Sequence, residues 1–210
     1  MGSPNGSSGS VHDQFAADYD QLVSAYGWWG HEALFGLCFE YIRAGERLLD
    51  VGIGSGLASA LFARAGLQVS GFDSSSPMLE LCRAKAIAVD LRRHDVTTRP
   101  WPYPAASFDH VMICGVLHFV ADLEPVFAEV ARVLEMGGIC AFTTKVPPPG
   151  TQELHQETIQ GVQVVSHDRS LVEDVIAHHG FIAHKWLRLA AVSGDELPDT
   201  YYACAAQQRG

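Results

Sequence analysis

A doubly wound parallel sheet with helices on both faces, an α/β fold, follows from three features of this 210-residue sequence. Short apolar runs alternate with stretches of helical spacing from Arg47 to Thr144, the order that builds parallel strands joined by crossover helices. Most of those runs are apolar without interruption, as burial on both faces demands. A glycine-rich turn, Gly52-Ile53-Gly54-Ser55-Gly56, joins the first of these strands to its helix.

Each element has a local cause. Phe15, Tyr19, Leu22 and Tyr26 recur every three or four residues and predict a helix from Val11 to about Tyr26. Leu34, Leu37, Cys38, Tyr41 and Ile42 predict a second, from about Trp29 to Arg43, stopped by Gly45. Leu48 to Val51 is the first strand, and Leu57, Leu61 and Ala65 mark its helix, closed by Gly66. Gln68 to Phe72 is the second strand. Ser76-Pro77 opens a helix to about Ala86, with Pro at its first position. Val89 to His94 is a strand carrying Asp90, Arg92 and Arg93, and so many charges suit a sheet edge. A loop broken by Pro100, Pro102 and Pro104 leads to the strand His110 to Val116. A helix from about Leu123 to Leu134 ends at Gly137-Gly138, and Ile139 to Thr144 is the fifth strand. Beyond Pro147-Pro148-Pro149-Gly150 a small hairpin through Gln160-Gly161 is expected. A helix with a capping box at Ser170 and Glu173 and a stop at Gly180 follows. Strands over Ile182 to Val192 and Tyr201 to Ala206 complete the chain.

Composition narrows the function classes. The chain has 14 basic and 24 acidic residues, a formal charge of −10. That balance argues against nucleic acid, which needs clustered Lys and Arg, and against anionic membrane surfaces. No run reaches the roughly 20 apolar residues of a membrane helix. Residues 1–10, seven of them Gly or Ser, are expected to be a flexible tail and carry no signal-peptide pattern. Five widely spaced cysteines give neither a disulfide framework nor a metal motif, which fits a reducing cytoplasm.

The chemistry concentrates at predicted strand ends. Glycines at 52, 54 and 56 allow a sharp turn and close approach of a ligand to the backbone. The dinucleotide fingerprint G-x-G-x-x-G is not met, because Leu57 stands in the place of the third glycine. Asp50, just inside the strand, would repel a pyrophosphate and suits an ammonium or sulfonium group. Asp73 ends the second strand, 21 residues after Gly52, where a carboxylate typically accepts from ribose hydroxyls. His94-Asp95-Val96 ends the third strand, and Cys114-Gly115 to His118 the fourth.

With these residues the chain resembles the class I S-adenosylmethionine-dependent methyltransferases, and among them the small-molecule, ubiquinone/menaquinone-biosynthesis-like branch. The resemblance spans roughly Val11 to Thr144 and includes Pro102-Tyr103-Pro104 with Ser107-Phe108-Asp109. It implies a Rossmann-like seven-stranded sheet of order 3-2-1-4-5-7-6 with strand seven antiparallel. It implies one domain over residues 11–210, with an N-terminal helical cap (11–43) and a lid segment (145–168). Asp50, Gly52 and Gly54 would line the methionine moiety, and Gly56 would help the turn. Asp73 would bind the ribose, Ser74 and Met78 would flank the adenine, and Asp95 and Val96 would meet its edge. Cys114 would lie under the methyl donor and Tyr19 would cap the cofactor. The implied reaction is methyl transfer to a small molecule, releasing S-adenosylhomocysteine, by a monomer or homodimer.

Each residue also has a plainer reading. Asp95 either binds or caps its loop, Tyr19 either caps the ligand or packs in a core, and His118 is either a general base or a packed ring. The cluster Tyr26, Trp28 and Trp29 either forms a lid or anchors the first helices. His155, Glu157, His167 and Asp168 lack metal-ligand spacing, so no metal is expected. His178-His179 suit a helix C-terminus through its dipole. Two other functions compete: a protein that holds S-adenosylmethionine or S-adenosylhomocysteine without turnover, and a nicotinamide-dependent oxidoreductase, which the glycine spacing disfavours.

Overall fold

The computed structural model describes residues 19–25, 27–151, 154–159, 161–191 and 199–209. Helices α1 (Tyr19–Ala25) and α2 (Gly30–Cys38) precede an alternating series. That series is β1 (Arg47–Val51), α3 (Ser59–Arg64), β2 (Gln68–Asp73), α4 (Ser76–Ala84), β3 (Ala88–Arg93) and β4 (Phe108–Ile113). A 3-10 turn (Leu117–Phe119), α5 (Glu124–Val133) and β5 (Leu134–Lys145) follow. Then come a hairpin of β6 (Leu154–Ile159) and β7 (Val162–His167), α6 (Arg169–His178), β8 (Phe181–Ala191) and β9 (Asp199–Gln208).

The seven-stranded sheet has the order β3-β2-β1-β4-β5-β9-β8, and the hairpin is a separate two-stranded sheet. Leaving the hairpin aside, this is the expected order 3-2-1-4-5-7-6. β9 runs antiparallel to both neighbours, and the charged β3 lies at the edge. Leu49, Val111 and Phe142 pack on one face with Phe127 and Ile176. Leu48, Met112 and Ala141 pack on the other with Leu34, Phe62 and Leu79. Each fully buried Leu or Phe contributes about 1.5–3 kcal/mol. β1 pairs with β2 on one side and β4 on the other, and Asp50 faces Gly71 and Met112 across these ladders. The carboxyl ends of the three strands are therefore level where the chain order reverses, the place at which such sheets form a crevice.

Several boundaries differ from the sequence reading; β4, for one, runs from Phe108 to Ile113 rather than from His110 to Val116. The first helix is described only from Tyr19; its expected start, with Phe15, and its end at Tyr26 lie outside the described residues, as do Gln160 and Val192. α2 stops at Cys38 rather than Arg43, because the Tyr41 amide bonds back to the Cys38 carbonyl at 2.8 Å, a tightened turn. α5 stops at Val133, since Leu134 is already extended and pairs with Phe108. Gly137 and Gly138 thus lie in a bulge of β5, where the register with β4 jumps. At α6 the cap is Asp168, whose carboxylate accepts from the Ser170 amide at 2.9 Å. Glu173 pairs instead with Arg169 at 2.7 Å, so the expected capping box is not formed.

Candidate functional site at the carboxyl ends of the strands

The glycine turn is held from behind. The amides of Gly52 and Ile53 donate to the Phe72 carbonyl at 2.9 and 3.0 Å. Gly52 has φ +70°, and a Cβ there would lie 2.5 Å from Val116 Cγ2. Gly54 has φ +54° and open space around the same position, and its amide donates to Asp73 Oδ2 at 2.9 Å. Asp73 Oδ1 accepts from the Ser75 amide at 2.8 Å. Two backbone donors thus fix the Asp73 carboxylate between β2 and the loop.

An open cleft of about 670 Å³ lies over this turn. Tyr19, Gly52, Gly54, Asp73, Ser74, Met78, Asp95, Val96 and Cys114 line it. The structure thereby brings together nine of the twelve residues singled out from the sequence. A second lobe of about 430 Å³ shares Tyr19, Gly52, Gly54 and Cys114 and adds Asp50. Gly56 lines neither lobe: at φ +79° it packs against Ile87 and Cys82, so its part is the turn alone. His118 lies outside both lobes. It lines an adjoining pocket with Phe119, Lys145, Tyr201 and the hairpin residues Ile159, Val162 and Val164. Phe119 borders that pocket and the main cleft alike.

Several residues escaped the sequence reading. Asp20 on α1 receives hydrogen bonds from Ser55 on the glycine loop and Lys85 beyond α4, and this clamp holds the first helix over the loop. His31 and Trp28 line the second lobe. His31 Nε2 contacts Glu32 at 3.0 Å, while its buried Nδ1 has no partner among the described residues. Trp28 packs edge-on against Tyr201 at 4.6 Å between ring centres. Of the three aromatics, Trp28 is thus an anchor that also borders the site, Trp29 is exposed, and Tyr26 lies outside the described residues. Phe72 and His94 pack edge-to-face and line the cleft. Apart from the His31–Glu32 pair, these contacts join residues far apart in sequence, and no local pattern signals them.

Electrostatics separates the carboxylates. Asp50 is 1% exposed and accepts from the Ser59 hydroxyl at 2.6 Å. Burial, with the nearby Asp73 charge, raises its carboxyl to about 7, against the opposing Ser59 bond. Burial likewise pushes the Tyr19 phenol up to about 12, reinforced by charge at Cys114, Asp73 and Asp20. Burial raises the Cys114 thiol and lowers the His31 imidazole. Asp95 Oδ1 accepts from the Thr97 amide and hydroxyl at 2.8 and 2.7 Å; it caps its loop and lines the cleft at once. Among the described residues, no Lys or Arg lines either lobe. The acidic, glycine-walled crevice can take a ligand with hydroxyl groups at Asp73 and a positive centre near Asp50.

Of His155, Glu157, His167 and Asp168, three have other partners. Glu157 pairs with Lys145 at 3.0 Å, Asp168 caps α6, and His167 lies buried beside Thr144. None of them, His155 included, belongs to a converging metal-ligand group among the described residues.

This sheet order, with a glycine turn and an acidic second-strand end at the switch point, defines a Rossmann-like methyltransferase-type domain. Residues 49–142 match the methyltransferase domain family. Through them the chain is similar to class I S-adenosylmethionine-dependent methyltransferases, small-molecule and menaquinone/ubiquinone-type enzymes among them. It is 33% identical over 105 residues to a demethylmenaquinone methyltransferase of Tropheryma whipplei, covering 49% of this chain and 44% of the relative. It is 32% identical over 177 residues to the 27-O-demethylrifamycin SV methyltransferase of Amycolatopsis mediterranei, covering 73% and 64%. The chain thus spans between about half and two thirds of these relatives' length. Among solved structures, the Burkholderia thailandensis 1,6-didemethyltoxoflavin-N1-methyltransferase, with S-adenosylhomocysteine bound, superposes with a TM-score of 0.73. That match covers 100% of this chain and 92% of the other at 14% identity, a likeness of fold.

Proposed function

We propose that the chain transfers a methyl group from S-adenosylmethionine to a small-molecule acceptor. The observation that carries this is the pairing of a fixed ribose-type carboxylate, Asp73, with a buried carboxyl, Asp50, on either side of a glycine turn that leaves open space at Gly54. These residues fit the donor. Ser74, Met78, Asp95 and Val96 would enclose its base, Asp73 its ribose hydroxyls, and the lobe beside Asp50 its amino-acid tail, with Tyr19 above and Cys114 beneath. His31, the one imidazole on that lobe among the described residues, would donate to the tail carboxylate.

When bound, S-adenosylmethionine supplies an electrophilic methyl group on a good leaving group, so positioning and exclusion of water do most of the work. The acceptor would enter the pocket beneath the β6–β7 hairpin, which adjoins the donor cleft through Phe119. Ile159, Val162, Val164 and Tyr201 would hold an apolar body. His118 would take the acceptor's proton where one must leave. The charge of −10 favours a small molecule over nucleic acid, and five free cysteines favour the cytoplasm. We expect a monomer or homodimer. The test is release of S-adenosylhomocysteine across a library of hydroxylated and amine acceptors. Acceptor-dependent release supports the reading. Tight binding of the donor with no release from any acceptor favours the binding-protein alternative.

A further inference from the structure

His178 and His179 do more than complement a helix dipole. They occupy the last residue and the C-cap of α6, and both turn toward Glu124, the first residue of α5. His178 Nδ1 lies 3.0 Å and His179 Nε2 2.7 Å from the same oxygen, Glu124 Oε2. One carboxylate suffices to pair with one imidazole; here two rings from one helix end converge on a single oxygen from another helix. The three ligand atoms lie within 4.8 Å of one another. Ligands of a tetrahedral zinc ion sit about 2.0–2.2 Å from the metal and hence about 3.3 Å apart. The two nitrogen–oxygen distances fall a few tenths of an ångström short of that. The His178 side chain is 71% exposed, so its ring has solvent on one side into which it can shift by those tenths.

The donor chemistry selects the ion. Two imidazoles and one carboxylate suit zinc and its neighbours among the divalent transition metals, whereas calcium and magnesium prefer an all-oxygen shell. The carbonyl end of α6 adds negative potential where the cation would sit. Glu124 is itself held at the start of α5, where its amide donates to Asp122 Oδ1 at 3.1 Å. None of the three residues lines the methyl-donor cleft or the hairpin pocket. We propose that Glu124, His178 and His179 form a surface site for a divalent transition cation of the zinc class, which clamps the start of α5 to the end of α6.

The experiment uses the full chain, stripped with a chelator, and zinc chloride alone as the probe, read by titration calorimetry and by thermal melting. The expected result is one zinc ion per chain at micromolar affinity. At a tenfold excess of zinc over its Kd, the melting midpoint should rise by about 4 °C. Glu124→Gln and His179→Ala should each weaken zinc binding by at least about tenfold, while His155→Ala leaves it unchanged. The zinc-induced increment is compared within each variant, so any loss of the resident ion pair does not enter. Magnesium chloride should give no increment. Absence of zinc binding to the unaltered chain would overturn the proposal, as would undiminished affinity in the Glu124→Gln, His179→Ala double variant.

Discussion

The glycine-loop side of the cleft and the pocket beneath the hairpin are built by different means. On the loop side, backbone does the holding: the amides of Gly54 and Ser75 fix Asp73, and the Phe72 carbonyl fixes the turn. On the hairpin side, side chains from four separate segments converge: His118 and Phe119 on the turn, Lys145 on β5, Ile159 on the hairpin and Tyr201 on β9. Lys145 there is itself tied between Glu157 and Asp199, at 3.0 Å each. A site made of backbone tolerates little change in its sequence. A pocket made of scattered side chains can be re-lined one residue at a time, which suits the part that chooses an acceptor.

Substitutions on the two sides should therefore separate binding from turnover. The largest effect is expected at His118: His118→Ala should lower kcat about 100-fold for an acceptor that must lose a proton, with S-adenosylhomocysteine affinity unchanged in calorimetry. Equal kcat in the variant would leave the hairpin pocket without its proton acceptor. Next is Asp73→Ala, which removes the ribose acceptor and unties the loop. A loss of about 2 kcal/mol, or about 30-fold in Kd for S-adenosylhomocysteine, is expected. His31→Gln should weaken S-adenosylhomocysteine about tenfold while leaving 5′-methylthioadenosine, which lacks the amino-acid tail, unaffected; a parallel loss for both ligands would assign His31 a structural part only. The smallest effect belongs to Lys85→Ala. Its ion pair with Asp20 is one-third exposed, so the cofactor Kd should rise only about threefold.

Asp50 adds a pH signature to the loop side. Its folded value of about 7 lies above the ordinary carboxyl value of 3.8, so the ligand-free folded state binds the extra proton. Stability from this group is full below the ordinary value and is lost as pH rises toward 7. Ligand-free melts should therefore fall between about pH 4 and pH 7 through Asp50, and Asp50→Asn should flatten that part of the slope. A cationic ligand beside the ionised carboxylate reverses the trend, so S-adenosylmethionine should bind more tightly at pH 8 than at pH 6. Identical pH profiles for the unaltered chain and Asp50→Asn would remove this role.

The same contrast governs what could be read from the sequence. The sheet was legible because apolar runs, glycine stops and the charged β3 each obey local rules; even the edge position of β3 followed from Asp90, Arg92 and Arg93. Asp50, Gly52, Gly54 and Asp73 were legible because a strand end and a glycine spacing place them. Gly137 and Gly138 misled because glycines end helices and also form bulges, and the pairing of Leu134 with Phe108 decided between the two. His31, the Asp20–Lys85 clamp and the grouping of Glu124 with His178 and His179 were not legible. Each rests on a placement beside residues distant in sequence, His31 against the glycine loop included, and the residue types are ordinary on any surface.

Titration calorimetry of the full chain with S-adenosylhomocysteine and, separately, with NAD tests most directly whether the crevice takes an adenosyl sulfur compound rather than a dinucleotide. One S-adenosylhomocysteine per chain at micromolar affinity, with no heat from NAD, is the predicted result; saturable binding of NAD with none of S-adenosylhomocysteine would contradict it.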